Sequence, residues 1–512
     1  MKKKEKLVNS AIIITVLLFC SKGLGFVREI LIAYKFGTSY IVDAYTICIT
    51  LPSVVFTVFA SGFSQSYVPV YTRITNDKEK KYFFSNVVNL LLIVSILVCL
   101  CCLSFSDVIV SIMAPGFDER TRYLTVVFIR IVSFIYPVMT VFNILSAHLS
   151  TSENFIFANF CDHIVVNVII IISILLTNKQ RSWMLSGGYV LALFCATVFL
   201  IMYSFRRKKV TYKPYIRIKN SSFKILYTMA IPLGLSLLVN QLNTVIDRIF
   251  ASTLREGVTS SLNYADKVQS IFLTLTTSIF LTVCYPRINM YFAKNDKING
   301  LYYIKKAISI AFYTSIPLVA ILLFYSTPII RVLFEKGEFS VEATEITANC
   351  LMCYSLGVPF YALREILTKT LAANEKQKLI FKNTIISVGC NIILNMFFIK
   401  ALGYIGLALA TSVSGMISSL LLGLDVKKSK LQIIDEKIKM NFFKIIICLL
   451  ISMIIGKVII YFLFEILCKS DIIVILGLII TGMIYILISI LLKVDIVQWL
   501  IDNLIIRHNK MK

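Results

Sequence analysis

The chain has 512 residues, of which 58% are apolar and 15% are charged, and its mean hydropathy is +0.83. This composition excludes a soluble globular protein and predicts a polytopic membrane protein. The formal net charge of +25 would suit a nucleic-acid partner, but the basic residues are concentrated in alternate loops, so no nucleic acid is expected.

Apolar runs long enough to cross about 30 Å of hydrocarbon predict an all-α protein with about fourteen transmembrane helices. The start of the chain resembles a signal peptide, but no small-residue cleavage site follows and the run continues through Lys22 to Arg28, so it is predicted as the first span. The expected spans are residues 8–33, 41–65, 82–113, 123–149, 155–177, 183–205, 222–252, 260–292, 303–334, 341–372, 379–400, 402–424, 439–466 and 470–492.

Basic loops alternate with short, nearly neutral ones such as residues 37–40 and 335–340. This is the positive-inside pattern, and with an even number of spans it places both termini in the cytoplasm. The basic loops are residues 1–6, 77–81, 206–219, 294–306, 376–382 and 427–439.

Two halves of the sequence repeat at an offset close to 220 residues. Asn159 and Asn167 match Asn383 and Asn391, and the turn at 115–117 matches that at 336–339. A same-direction repeat predicts two six-helix bundles related by an axis along the membrane normal, with a substrate site between them. The predicted organisation is a bundle at 1–205, a basic linker at 206–221, a second bundle at 222–424, two extra helices at 425–493, and an interfacial amphipathic helix with a basic tail at 494–512, carrying Trp499 at headgroup level.

Positive charges lie inside the predicted spans, where each costs roughly 2.5–3.5 kcal/mol at bilayer depth. We therefore expect them to line a wet cavity of cationic character, which indicates a transport path for an anion. These residues are Lys22, Arg28, Arg130, Arg248, Lys267, Arg364 and Lys369.

The first span places Gly23 and Gly25 beside Lys22 and Arg28, which permits a local bend that aims both cations together. The competing interpretation is a structural salt bridge between Lys22 and Glu29, which share a helix face.

Two aspartates have two interpretations each. Asp43, near the start of the second span, is a candidate substrate-binding residue or a dipole-stabilised cap. Asp247 lies in a span with Asn240, Gln241 and Asn243, and it is a candidate hard-cation ligand or the partner of a lysine on another helix.

No catalytic constellation is evident, so the protein is not expected to be an enzyme. His148 and His163 are interpreted as packing residues, and the thirteen cysteines as small core residues. Phosphate-binding glycine loops are absent from the sequence, so no nucleotide cofactor is expected.

Several segments resemble the lipid II flippases called MurJ or MviN, of the MOP exporter superfamily. They are Ser21–Val70, Leu262–Phe272, Leu333–Thr344 and Gly403–Val413. The resemblance covers essentially the whole chain. It implies alternating-access transport of undecaprenyl-pyrophosphate-linked peptidoglycan precursor from the inner to the outer leaflet, with Lys22, Arg28, Asp43 and Lys267 in the cavity. The resemblance also implies a candidate sodium site at Asp247, Asn391, Asn395 and Thr411, with Na⁺ as coupling ion.

The chain departs from the family pattern at several positions. Phe56 and Thr57 replace an arginine pair, Ser61 replaces a glutamate, and Asn395 replaces a carboxylate. Lysines stand at 22 and 267 where the family has arginine, and they cannot make bidentate guanidinium contacts.

Our hypothesis is a lipid II flippase of the bacterial cell membrane that binds pyrophosphate through Lys22, Arg28 and Lys267, with Arg364 assisting. The expected partners are the lipid-linked glycan, membrane lipids and proteins of cell-wall synthesis. Three alternatives stay open: a flippase for another polyprenyl-pyrophosphate glycan of a capsule or surface polymer, a cation-coupled drug exporter, and a membrane glycosyltransferase or polymerase.

Overall fold

A computed structural model describes residues 2–56, 61–151, 155–207, 212–213, 216–217, 221–429, 431, 433, 435–466, 471–499 and 502. Across these ranges the regular secondary structure is helical, as predicted. The α-helices are α1 (Lys2–Phe36), α2 (Tyr40–Phe56), α3 (Gly62–Arg73), α4 (Asp77–Ser104), α5 (Ser106–Met113), α6 (Glu119–Ser133), α7 (Ile135–Thr151), α8 (Phe155–Phe160), α9 (Val166–Leu176), α10 (Trp183–Arg206), α11 (Ser221–Ser252), α12 (Val258–Ile279), α13 (Tyr285–Ala293), α14 (Lys297–Phe334), α15 (Val341–Ser355), α16 (Val358–Ala373), α17 (Gln377–Leu402), α18 (Tyr404–Lys428), α19 (Glu436–Ile466) and α20 (Asp471–Leu491).

Ten helices in the described part of the chain are long and apolar enough to cross a membrane. The pair α15 and α16, bent by 44° at its break, forms an eleventh candidate. The other three predicted spans correspond to α1, to α2 with α3, and to α20. Short π-helical turns join α8 to α9 and α12 to α13, so these pairs each form one broken span. The predicted segments therefore coincide with helices wherever the structure describes their residues.

The chain divides into two compact units, which are described separately. The first comprises Met1–Ser260 with Lys336–Ser340, and the second comprises Ser261–Glu335 with Val341–Lys512. In the first unit α11 packs closely on α3. The close approach requires a glycine at position 62, because a Cβ there would lie only 2.7 Å from the carbonyl oxygen of Ala230. Small residues permit such close approach of helix backbones. This grouping differs from the predicted division at 206–221, and the six-helix repeat stays a prediction.

In the second unit, α17 and α18 form a hairpin, and α14 packs along α15, α16, α19 and α20. The segment after α20 adds to this core, because Val494, Ile496 and Val497 are buried within it. Trp499 packs against the same core. The predicted interfacial helix is helical at 495–499, and most of its remainder lies outside the described residues.

The α17–α18 turn requires two glycines. Gly403 has φ +58°, a conformation that residues with a Cβ rarely adopt. At Gly406 a Cβ would overlap the carbonyl oxygen of Phe398.

Substitution Gly406→Val should lower the stability of the protein by about 1–3 kcal/mol, because the overlap forces the hairpin apart. Gly389→Val is the matched control, since a Cβ at Gly389 meets no atom within 4 Å. Thermal unfolding in detergent, followed by size-exclusion chromatography, measures the difference. Equal midpoints for the two variants would contradict the packing assigned to Gly406.

Candidate functional site

The charged segment of α1 is helical throughout. α1 runs unbroken from Lys2 to Phe36, so the bend that Gly23 and Gly25 would permit is not present. A Cβ at Gly23 meets no atom within 4 Å, and one at Gly25 meets only Asn167 Oδ1, at 4.0 Å. Neither glycine is therefore tightly packed against a neighbouring helix.

Arg28 pairs with its neighbour in sequence. Its Nη2 donates to Glu29 Oε1 at 3.0 Å, and the Glu29 carboxylate is buried. The proposed Lys22–Glu29 salt bridge is therefore wrong. The Arg28 side chain is 21% exposed, and its Nε has no hydrogen-bond partner among the described residues. The guanidinium thus keeps donor capacity for another anion.

Lys22 lies one to two turns earlier on the same helix. Its side chain is exposed, and it makes no ion pair within the described ranges. By contrast, Arg130 pairs with Asp107 at 3.0 Å and Lys369 pairs with Glu365 at 3.7 Å. Lys22 is therefore a cation that the protein itself does not neutralise in this structure.

Asp43 caps a helix other than its own. Its two carboxylate oxygens accept hydrogen bonds from the backbone N–H groups of Gly257, at 2.7 Å, and Ser260, at 2.8 Å, at the start of α12. Glu256 makes the reciprocal contact. Its Oε1 accepts a hydrogen bond from the backbone N–H of Tyr40, at the start of α2, at 2.8 Å. The N-termini of α2 and α12 thus cap each other, which satisfies backbone donors that have no intrahelical acceptor.

This placement favours the cap interpretation of Asp43, and a role in substrate binding stays a prediction. Arg248 lies nearby, where its Nη1 donates to the carbonyl oxygen of Thr259 at 3.1 Å. The buried guanidinium therefore serves the same helix start in this conformation.

A second contact at the end of α1 involves the turn that precedes α15. The backbone N–H of Glu338 donates to the carbonyl oxygen of Tyr34 at 2.9 Å, and Lys179 Nζ lies 2.7 Å from Glu338 Oε2. Both Gly37 and Gly337 have positive φ, and a Cβ on either would overlap the facing backbone. The sequence-related turn at Gly116 is equally close to the end of α11, where a Cβ would overlap Ser252.

Lys35 holds the end of α9. Its Nζ donates to the carbonyl oxygens of Ile174, at 3.0 Å, and Thr177, at 2.9 Å. A lysine at a helix C-terminus satisfies carbonyls that lack intrahelical donors.

The predicted residues of the second unit are less engaged. Lys267 is half-buried on α12 and makes no hydrogen bond from its side chain to the described part of the chain. Two residues along, Gln269 Nε2 donates to the carbonyl oxygen of Tyr354 at 2.7 Å, which fixes α12 to α15. Arg364 is half-buried on α16.

Two of the candidate sodium ligands, Asn391 and Asn395, contact each other, and the sodium site stays a prediction. Asn395 Nδ2 donates to Asn391 Oδ1 at 3.1 Å, so this oxygen already accepts one hydrogen bond. Both side chains are fully buried, and Thr411 Oγ1 donates to the carbonyl oxygen of Leu407 at 3.0 Å. No group of three or more His, Cys, Asp or Glu residues that could hold a metal occurs in the described ranges. Asp247 is half-buried on α11, in the other unit.

A family model described as "Lipid II flippase MurJ" matches residues 32–479. The chain belongs to the MurJ lipid II flippase family. The match covers most of the chain and includes helices from both compact units.

Individual MurJ proteins are similar over nearly the whole length. The probable lipid II flippase MurJ of Rickettsia prowazekii (strain Madrid E) is 28% identical over 467 residues, covering 89% of this chain and 91% of that protein. The lipid II flippase MurJ of Thermosipho africanus (strain TCF52B) is 29% identical over 420 residues, covering 82% and 85%.

Solved structures agree with this assignment. Lipid II flippase MurJ in an inward closed conformation aligns with a TM-score of 0.82 at 27% identity, covering 95% of this chain and 100% of that one. A MATE multidrug transporter of the MOP superfamily aligns with a TM-score of 0.68 at 13% identity, covering 80% and 95%, and shares the fold alone.

Sequence reasoning missed Glu256, Glu338, Lys179 and Lys35. Each acts on a backbone group or side chain more than 130 residues away. A polar residue beside a helix end is a weak signal for a cap, and nothing in its local pattern identifies the distant helix that it caps.

Asp43→Ala should lower the midpoint of thermal unfolding, since two buried N–H groups lose a charged acceptor, at about 1–3 kcal/mol. Asp43→Asn should have a smaller effect, because one acceptor oxygen remains. Binding of a lipid-linked pyrophosphate to the folded Asn variant separates the two interpretations. Unchanged stability with lost binding would favour substrate contact over the cap.

Proposed function

We propose that this protein is a lipid II flippase, which moves an undecaprenyl-pyrophosphate-linked peptidoglycan precursor from the inner to the outer leaflet. The observation that carries the proposal is family membership over residues 32–479. The curated relatives in Rickettsia prowazekii and Thermosipho africanus bear the same name. The protein is a multi-span membrane protein, and we assign it to the bacterial cytoplasmic membrane with both termini inside, following the positive-inside pattern.

The cations of α1 suit the head group of such a substrate. Lys22 has no acid partner in the described structure, and Arg28 shares its guanidinium with a single carboxylate. A diphosphate is a compact polyanion that ammonium and guanidinium donors bind through charge-assisted hydrogen bonds. In a site screened from bulk water these contacts are stronger than at an exposed surface.

Lys267 and Arg364 are the corresponding candidates on α12 and α16. Both are half-buried, and Lys267 makes no ion pair within the described second unit. We assign them to the same anionic head group.

The departures from the family pattern support a second candidate function. The lysines at positions 22 and 267 each supply a point charge, whereas the arginines of the family pattern supply a planar, bidentate guanidinium. Ser61 lacks the carboxylate of the glutamate that it replaces. Thr57 lies outside the described residues. A flippase for another polyprenyl-pyrophosphate glycan would use the same pyrophosphate contacts and differ only in the sugar.

Proteins of cell-wall synthesis are proposed partners under the first function.

We propose that the cycle uses no sodium step, because Asn395 carries a neutral amide where the family resemblance implies a carboxylate. Reorientation of the empty carrier can draw on the membrane potential, since one charge moved through 100 mV is worth about 2.3 kcal/mol.

Arg28→Ala should abolish growth of a strain depleted of its own flippase, because the head group loses a charged donor. Lys22→Gln should impair growth, and Lys22→Arg should retain it. The matched control is Lys457→Ala, which removes a cation from α19, outside the repeated helices. Expression must be equal by immunoblot. Normal growth with Arg28→Ala would refute its assigned role.

Wild-type flipping in proteoliposomes should not change when Na⁺ is replaced by K⁺ at constant ionic strength. Asn395→Asp supplies the missing carboxylate, and it should create a sodium-dependent rate. A wild-type rate that falls severalfold without Na⁺ would show that the amide pair rearranges into a cation site.

A further inference from the structure

A cavity of about 730 Å³ lies in the second compact unit between α14, α16, α18 and α19. Most of its wall is hydrocarbon, including Phe312, Leu363, Leu367, Leu420, Leu424 and Phe442. Its volume falls within the range of about 300–1,000 Å³ that is usual for small-molecule sites. The wall chemistry selects an apolar occupant.

The cavity opens on a surface that is itself apolar. Leu420 and Leu424 line it and are 54% and 55% exposed, and Phe442 is 40% exposed. Large apolar side chains exposed on membrane-spanning helices face lipid. A lipid chain can therefore enter sideways without crossing a polar surface.

One end of the cavity is basic. Lys427 and Lys439 line it, at the end of α18 and the start of α19. Residues 425–444 contain six lysines and three acids. This loop belongs to the side that the charge pattern predicts as cytoplasmic.

The acids nearby are already engaged. Asp435 accepts from Lys305 Nζ at 2.7 Å, and this hydrogen bond lowers the pKa of the Asp435 carboxyl. Lys439 Nζ lies 2.8 Å from Glu436 in a pair where both side chains are exposed, and such pairs are weak. Lys427 makes no ion pair with any residue that the structure describes. Lys427 therefore has no acidic partner among the described residues, and the Lys439 pair is exposed and weak.

We propose that this cavity is a binding site for an anionic phospholipid of the cytoplasmic leaflet, with one acyl chain in the apolar part and the phosphate at Lys427 and Lys439. Basic pockets between transmembrane helices on the cytoplasmic side bind lipid head groups in this way. The site is distinct from the candidate residues of α1, α12 and α16, and it does not depend on the proposed function.

Gly423 allows a sharp test, because it lines the cavity and a Cβ there meets only Leu367 Cδ1, at 3.9 Å. Gly423→Leu should fill the apolar part without disturbing the helices. Gly389→Leu is the control, since it adds the same side chain in open space elsewhere. The assay is native mass spectrometry of delipidated protein titrated with dioleoyl phosphatidylglycerol or dioleoyl phosphatidylcholine.

Wild-type protein and Gly389→Leu should each retain one phosphatidylglycerol, and Gly423→Leu should lose at least tenfold in occupancy. Lys427→Gln, an exposed change that should leave folding intact, should weaken phosphatidylglycerol about fivefold, as expected for one lysine near an anionic surface, without weakening phosphatidylcholine. Equal binding by Gly423→Leu, or equal affinity of the wild type for the two lipids, would overturn the site. Displacement of the phospholipid from this site by an undecaprenyl phosphate at equal concentration would assign the cavity to the substrate tail and overturn the phospholipid assignment.

Discussion

The structure depends on the need to satisfy backbone polar groups at helix ends within or near the hydrocarbon. Each helix leaves its first N–H and last C=O groups without intrahelical partners, and in lipid an unsatisfied group costs several kcal/mol. Asp43 and Glu256 provide acceptors at the starts of α12 and α2, and Lys35 provides a donor at the end of α9. These side chains are charged because a charged partner makes the stronger hydrogen bond. These charges therefore stabilise helix ends in the folded protein, independently of any substrate.

The same constraint applies to several turns and helix starts within the first compact unit. The turn at Gly337 lies against the end of α1, and the sequence-related turn at Gly116 lies against the end of α11. Asp43 and Glu256 add a reciprocal cap between α2 and α12. Opening this end would break several hydrogen bonds, each contributing about 0.5–1.5 kcal/mol net, or somewhat more where charged. Under the proposed function, contacts of this modest stability can break and re-form during a transport cycle.

The sequence predicted periodic and compositional features well and pairings poorly. Within the described residues the predicted apolar segments fall on helices, since hydrophobic length is a local property. The competing interpretation of a Lys22–Glu29 salt bridge is wrong, because helical spacing identifies a shared face and leaves the partner undecided. Glu29 instead accepts from Arg28. Gly23 and Gly25 permit a bend without requiring one, so α1 stays straight enough to remain a single helix. Capping by Asp43 joins residues more than 200 apart, which no local pattern encodes.

Ion pairing separates structural cations from candidate binding cations inside the membrane. Arg130 and Lys369 each have a carboxylate within 4 Å, so their charges are compensated by the fold. Lys22 has no such partner in the described structure, and a bare ammonium at bilayer depth is costly unless water or an anion solvates it. Lys22 is exposed in this structure, which leaves its ammonium group accessible. Under the proposed function, an anionic head group would bind Lys22 without first breaking a salt bridge, so its binding energy would not be spent on displacing an internal acid.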